Sequence, residues 1–179
     1  DKSSEIFVYY SGHGAPSISE HKSYIVPVDC DPIYVGSCGY KLADLYDVLN
    51  KVEAKSTTVV IDACFSGSSF AGELIVEASP INITVDRETL RTDNFAIFTS
   101  ASNQQVSSWY REKKHSLFTY YFLKALQGEA DNNNDNQLTR AEIHDYLYDH
   151  VEYNARQLNR EQTPQLDTND KTKVLARIQ

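Results

Sequence analysis

The chain has 179 residues, 41% apolar and 23% charged, and carries a formal net charge of −8. That length suits one domain with a real hydrophobic core, and the negative balance, with no Lys/Arg stripe, argues against nucleic acid bound through its phosphates. No apolar run approaches the roughly 20 residues that span a bilayer and no signal peptide opens the chain, so neither a membrane nor a nucleic acid is an expected partner. Three cysteines close no disulfide framework, and no C-x-x-C pair points to zinc. Cys30 and Cys38 are expected as two small buried thiols, although they could bridge in an exported protein. Cys64 has a different setting.

In chain order, Ile6–Tyr10 reads as a buried strand, a short apolar run rich in β-branched and aromatic residues. A weaker strand signal covers Tyr24–Val28, followed by a turn-rich loop with Asp31-Pro32, Gly36 and Gly39. Apolar residues at 42, 45, 46 and 49 then predict a helix over Leu42–Leu49. Thr58–Ile61 and Phe95–Phe98 are two further buried strands. Between them, residues 71–94 lack a clean period and read as a long surface loop containing Arg87 and Arg91. A helix is expected from Ser116 to Leu126, stopped by Gly128, and another from Arg140 to Asn154 with Ile143, Leu147 and Val151 in a stripe. A weak strand near Val174–Ile178 closes the chain.

Strands alternating with helices predict an α/β sandwich with a mostly parallel sheet, as one domain over 1–179. The sheet is thin for that architecture, so further strands are expected on a preceding segment or on a second, processed chain.

The first strand runs into Ser11-Gly-His-Gly14, and the next core strand runs into Asp62-Ala-Cys-Phe-Ser-Gly67. In a parallel sheet, ligands bind beyond the carboxyl ends of the strands. Neighbouring strands would therefore offer an imidazole, His13, and a thiol, Cys64, at one rim, with glycines allowing a substrate backbone close. Taken singly, each has a bland reading: a buried apolar cysteine and a turn histidine. Their matched positions favour a catalytic pair.

Tyr9-Tyr-Ser-Gly-His-Gly14 and Asp62-Ala-Cys-Phe-Ser-Gly67 resemble the two signature motifs of the caspase and metacaspase clan, whose histidine lies about 50 residues before the cysteine. The likeness extends through Tyr24-Ile-Val-Pro-Val-Asp29 and Phe118-Thr-Tyr to Thr163-Pro-Gln-Leu166. Asp62 stands where caspases have Gln, as in metacaspases and bacterial caspase-like peptidases. The resemblance implies a three-layer caspase-like sandwich acting on protein or peptide substrates. It also implies a Cys64–His13 dyad and an oxyanion hole from the Gly14 and Cys64 amides. On the substrate side it implies Asp62, Ser100, Ser108 and Trp109. A carboxylate at Asp62 would favour Arg or Lys at P1. Ser107-Ser-Trp-Tyr110 resembles the caspase segment that pairs with substrate, but Tyr110 replaces the Arg that grips a P1 aspartate. Arg87 and Arg91 would suit self-cleavage.

A second motif lies at Asp131–Glu142, which follows the 12-residue EF-hand loop. Asp131, Asn133 and Asp135 supply oxygens, Gln137 a carbonyl, and Glu142 the closing carboxylate; Asn136 takes the usual glycine position. The expectation is a Ca2+ site that the chemistry does not need. The competing reading is a helix cap, because Thr139-x-x-Glu142 is also a capping box. Two other functions are weighed against the peptidase, a silent caspase-like scaffold and an amidase for small substrates. A phosphate loop at Ser11–Gly14 fails for want of the Lys-Ser/Thr that should follow.

Overall fold

The computed structural model describes residues 2–17, 20, 22–65, 68–69, 72–73, 93–102 and 105–178. Arg87 and Arg91, and with them the self-cleavage expectation, lie outside the described residues, as do Ser66 and Gly67.

The central sheet has the order β1 (Glu5–Ser11), β5 (Ser56–Asp62), β6 (Phe95–Thr99) and β10 (Gln165–Thr168). The first three run parallel and the last antiparallel. Alternation along β5 and β6 divides the core between the two faces of the sheet. Val59, Ile61, Phe95 and Ile97 pack with Leu42 and Tyr46 of α1 (Leu42–Lys51). Val60, Ala96 and Phe98 face Leu117, Phe118 and Phe122 of α2 (Leu117–Lys124) and Ile143, Leu147 and Val151 of α3 (Arg140–Gln157). This is the three-layer α/β sandwich expected from the run of strands and helices. Each large apolar side chain so buried stabilises it by about 1.5–3 kcal/mol.

Beside it, β2 (Gly14–Ser17), β3 (Lys22–Ile25) and β4 (Tyr40–Lys41) form a small antiparallel sheet. The strand expected to reach Val28 stops at Ile25. Pro27 has no N–H to give a ladder, and Val28 is fully exposed. Cys30 and Cys38 are not separate thiols but a disulfide. It closes the loop after β3 over a cluster of Ala15, Tyr24, Cys30 and Val35. The expectation of two separate thiols fails because eight residues of separation say nothing about whether two Cβ atoms face each other.

The C-terminal expectation also changes. Val174–Arg177 (β11) does not join the central sheet; it pairs antiparallel with β9 (Gln137–Thr139). The fourth central strand is Gln165–Thr168, where three polar residues and a single leucine hide the usual strand signal. After α2 the helix widens over Ala125–Glu129 and is kinked within that turn at Gly128, whose φ of 107° favours glycine. No helix among the described residues is long and apolar enough to cross a membrane.

Candidate active site

Register brings the two reactive side chains to one rim. Ser11 of β1 pairs with Asp62 of β5, and each strand carries its reactive residue two positions further on. Gly12 N donates to Asp62 O at 3.2 Å, prolonging the ladder by one step. The His13 carbonyl then accepts from Val26 N (3.0 Å) and from the Tyr10 hydroxyl (2.8 Å). Its backbone is thus held by β1 and by the start of the loop after β3. Gly14 must be glycine for space, since a Cβ there would fall 2.5 Å from the Phe65 ring and 2.8 Å from Cys64 O.

His13 and Cys64 line one cleft together with Asp62, Ser107, Ser108 and Trp109. The imidazole is exposed and the sulfur half-buried. No hydrogen bond joins these two side chains; the Cys64 sulfur instead accepts from Ser107 N at 2.8 Å. Burial pushes the thiol up to about 11, and the Asp62 charge adds to this; the Ser107 N–H and the Arg160 charge oppose it. At neutral pH the sulfur therefore keeps its proton unless a base takes it.

Asp62 is buried beneath the cleft and surrounded by hydroxyls. Ser107 Oγ donates to its Oδ1 at 2.7 Å, and Ser116 and Thr119 donate to its Oδ2. Thr119 spends its proton on the carboxylate, so the Tyr9 hydroxyl, 2.7 Å away, donates to Thr119. Ser116 also caps α2, accepting from Thr119 N at 3.0 Å. These donors are neutral: they solvate the carboxylate without cancelling its charge.

The remaining substrate-side residues divide. Ser108 lines the cleft, and its buried Oγ has no hydrogen-bond partner among the described residues. Trp109 stands 48% exposed on the short hairpin of β7 (Trp109–Tyr110) and β8 (His115–Ser116). Ser100 is fully buried and does not line the cleft; its Oγ bonds Ala63 O at 3.5 Å. It supports the wall from behind.

The Asp131–Glu142 loop is folded onto itself. Asp131 accepts from Asp135 N (3.2 Å) and Asn136 N (3.0 Å), Asn133 from Asp135 N (2.9 Å), and Asp135 from Gln137 N (2.8 Å). Asn136 has a φ of 60°, the left-handed turn expected at that position. Glu142 faces Thr139, bonding its N–H at 2.9 Å and its hydroxyl at 2.7 Å in a complete capping box for α3. Among the described residues no group of three or more His, Cys, Asp or Glu converges as a metal site requires. The Glu142 carboxylate serves as a helix cap here.

Sequence reasoning missed the hydroxyls of Ser107, Ser116 and Thr119 around Asp62, and Gln162 behind them. Hydroxyl residues follow no period; the Ser107-Ser-Trp-Tyr110 and Phe118-Thr-Tyr motifs contain Ser107 and Thr119 without pointing to the carboxylate they share.

A family model for the caspase domain matches residues 1–176. A search of curated proteins gave no significant match. With nearly its whole length matched, the chain belongs to the caspase-domain family of cysteine-type peptidases.

Proposed function

We propose that the protein is a cysteine endopeptidase that cuts after Arg or Lys, using Cys64 as nucleophile and His13 as acid/base. One observation carries this reading: an imidazole and the free thiol stand at equivalent strand ends and line the same cleft. His13 takes the thiol proton, and the sulfur attacks the substrate carbonyl carbon. The Gly14 and Cys64 amides hold the oxyanion. His13 then gives its proton to the leaving amine, so the C–N bond breaks and an acyl-enzyme remains. Water, deprotonated by His13, hydrolyses the thioester and restores the thiol.

The pocket reading rests on Asp62, a carboxylate at the cleft floor whose contacts are neutral hydroxyls. A basic P1 side chain supplies the missing positive charge. The unpartnered Ser108 hydroxyl offers it a further bond, and Trp109 covers a neighbouring subsite. Calcium stays outside the mechanism; Asp131, Asn133, Asp135, Gln137 and Glu142 are the residues that would hold an ion, and Glu142 gives one carboxylate oxygen, Oε2, to its cap. The outer edge of β1, with Phe7 and Tyr9 exposed, supports pairing with a strand from a preceding segment or a second chain.

The raised thiol and the absent His13–Cys64 bond favour one other reading, a silent interaction scaffold. Fluorogenic peptides differing only at P1 decide between them. The peptidase reading expects cleavage after Arg and Lys, weakened about 10- to 100-fold by Asp62→Asn through loss of a charge-assisted bond. Cleavage after Asp alone would remove the pocket assignment, and no cleavage of any peptide would leave the scaffold.

A further inference from the structure

Gln162, in the segment between α3 and β10, is wholly buried behind the cleft. A primary amide carries donors and an acceptor in one plane, and Gln162 uses both sides. Its Oε1 accepts from Ser108 N at 2.7 Å, and its Nε2 donates to Ser100 O at 2.9 Å. Ser100 is itself fixed to β5, since its N–H bonds Ile61 O at 3.0 Å. The amide therefore joins the end of the catalytic sheet to residues 107–108. The same Nε2 lies 3.5 Å from Ser107 Oγ. Gln105 ties the same two segments together again. Its Oε1 accepts from Thr163 N at 2.7 Å, and its Nε2 donates to Thr163 Oγ1 at 3.2 Å.

On the opposite side, this pinned segment touches the chemistry. Ser107 N donates to Cys64 Sγ and Ser107 Oγ donates to Asp62. The peptide planes on either side of Ser107 share its Cα, and each plane is rigid. Holding Ser108 N from behind therefore anchors one of these planes and leaves only φ and ψ of Ser107 to set where its N–H points. We propose that Gln162 is a positioning residue: it holds the Ser107 N–H against the Cys64 sulfur, so that the sulfur has a ready donor when it becomes a thiolate. A donor to the charged form favours that form. The proposal rests on reading Cys64 as the nucleophile. It differs from a purely structural buried glutamine, which would alter stability but not the sulfur's ionisation.

The test is the rate at which iodoacetamide alkylates Cys64 in the full chain between pH 7 and 9, with the adduct located by mass spectrometry. Cys30 and Cys38 are bridged, leaving Cys64 as the free thiol. Gln162→Met keeps the volume and removes the amide. The expected result is alkylation about 10-fold slower at each pH, the loss of one hydrogen bond to a charged group. Gln105→Ala, which removes the second tie, should slow it less but in the same direction. Circular dichroism checks that each variant is folded. A folded Gln162→Met protein that alkylates at the wild-type rate overturns the proposal. If that variant does not fold, a wild-type rate in Gln105→Ala overturns it instead. The readout needs no turnover, so a wild type that cleaves no peptide would refute the peptidase reading and leave this result standing.

Discussion

Burial raises the Cys64 thiol to about 11, so at neutral pH the proposed nucleophile waits in its unreactive form. Desolvation disfavours the charged sulfur, and Asp62 beneath it pushes the same way, since the carboxylate that would attract a basic substrate also repels a thiolate. A bound Arg or Lys would relieve that repulsion, coupling recognition to activation. In the proposed mechanism it is His13 that removes the proton until then. For His13→Ala, kcat should fall about 100- to 10,000-fold with little change in KM. The sign of the pH dependence follows from the raised thiol: a neutral acid held protonated by burial ionises only as pH climbs. The residual rate should therefore grow about tenfold per pH unit toward pH 11. Steady-state kinetics across pH checks both. Both reactive residues were legible in sequence, because glycine-flanked strand ends are a pattern. The hydroxyls around Asp62 and the amide of Gln162 were not, because their partners lie 45 to 62 residues away along the chain.

Helices were read more completely than strands. The stripe of Ile143, Leu147 and Val151 is buried as the 3.6-residue period requires, and α1 and α2 begin and end within a few residues of their signals. The strand that escaped, Gln165–Thr168, lies antiparallel at the sheet edge, where one face and a ladder suffice and no continuous apolar run is needed. Val174–Arg177 carried the stronger strand signal but serves the loop before α3. There Glu142 closes a capping box, and the same residue ends the loop that matches a calcium motif. Thr139→Ala removes half of the capping box and should destabilise the protein by about 1 kcal/mol. Urea unfolding monitored by circular dichroism measures this. The loss should be the same with millimolar Ca2+ as with chelator, whereas a loss seen only in calcium would favour an ion site.

The molecule as a whole is built so that its two chemical ends meet. Parallel pairing of β1 with β5 sends both chains out on the same side, and the antiparallel sheet beginning at Gly14 turns the first chain away once His13 has been presented. The Cys30–Cys38 bridge fastens the loop that starts at Val26, the residue bonded to the His13 carbonyl. A loop this short gains about 2–3 kcal/mol from closure in the chain-entropy account. Fold class followed from the alternation of elements; the disulfide did not, since spacing alone cannot orient two side chains. The most direct measurement of the central claim is the intact mass of the protein after reaction with a peptidyl chloromethyl ketone bearing Arg at P1. One adduct, mapped to Cys64, should form faster than with the Asp reagent and be slowed by His13→Ala. Folded protein that gains no adduct at Cys64, or gains it equally well without His13, would contradict it.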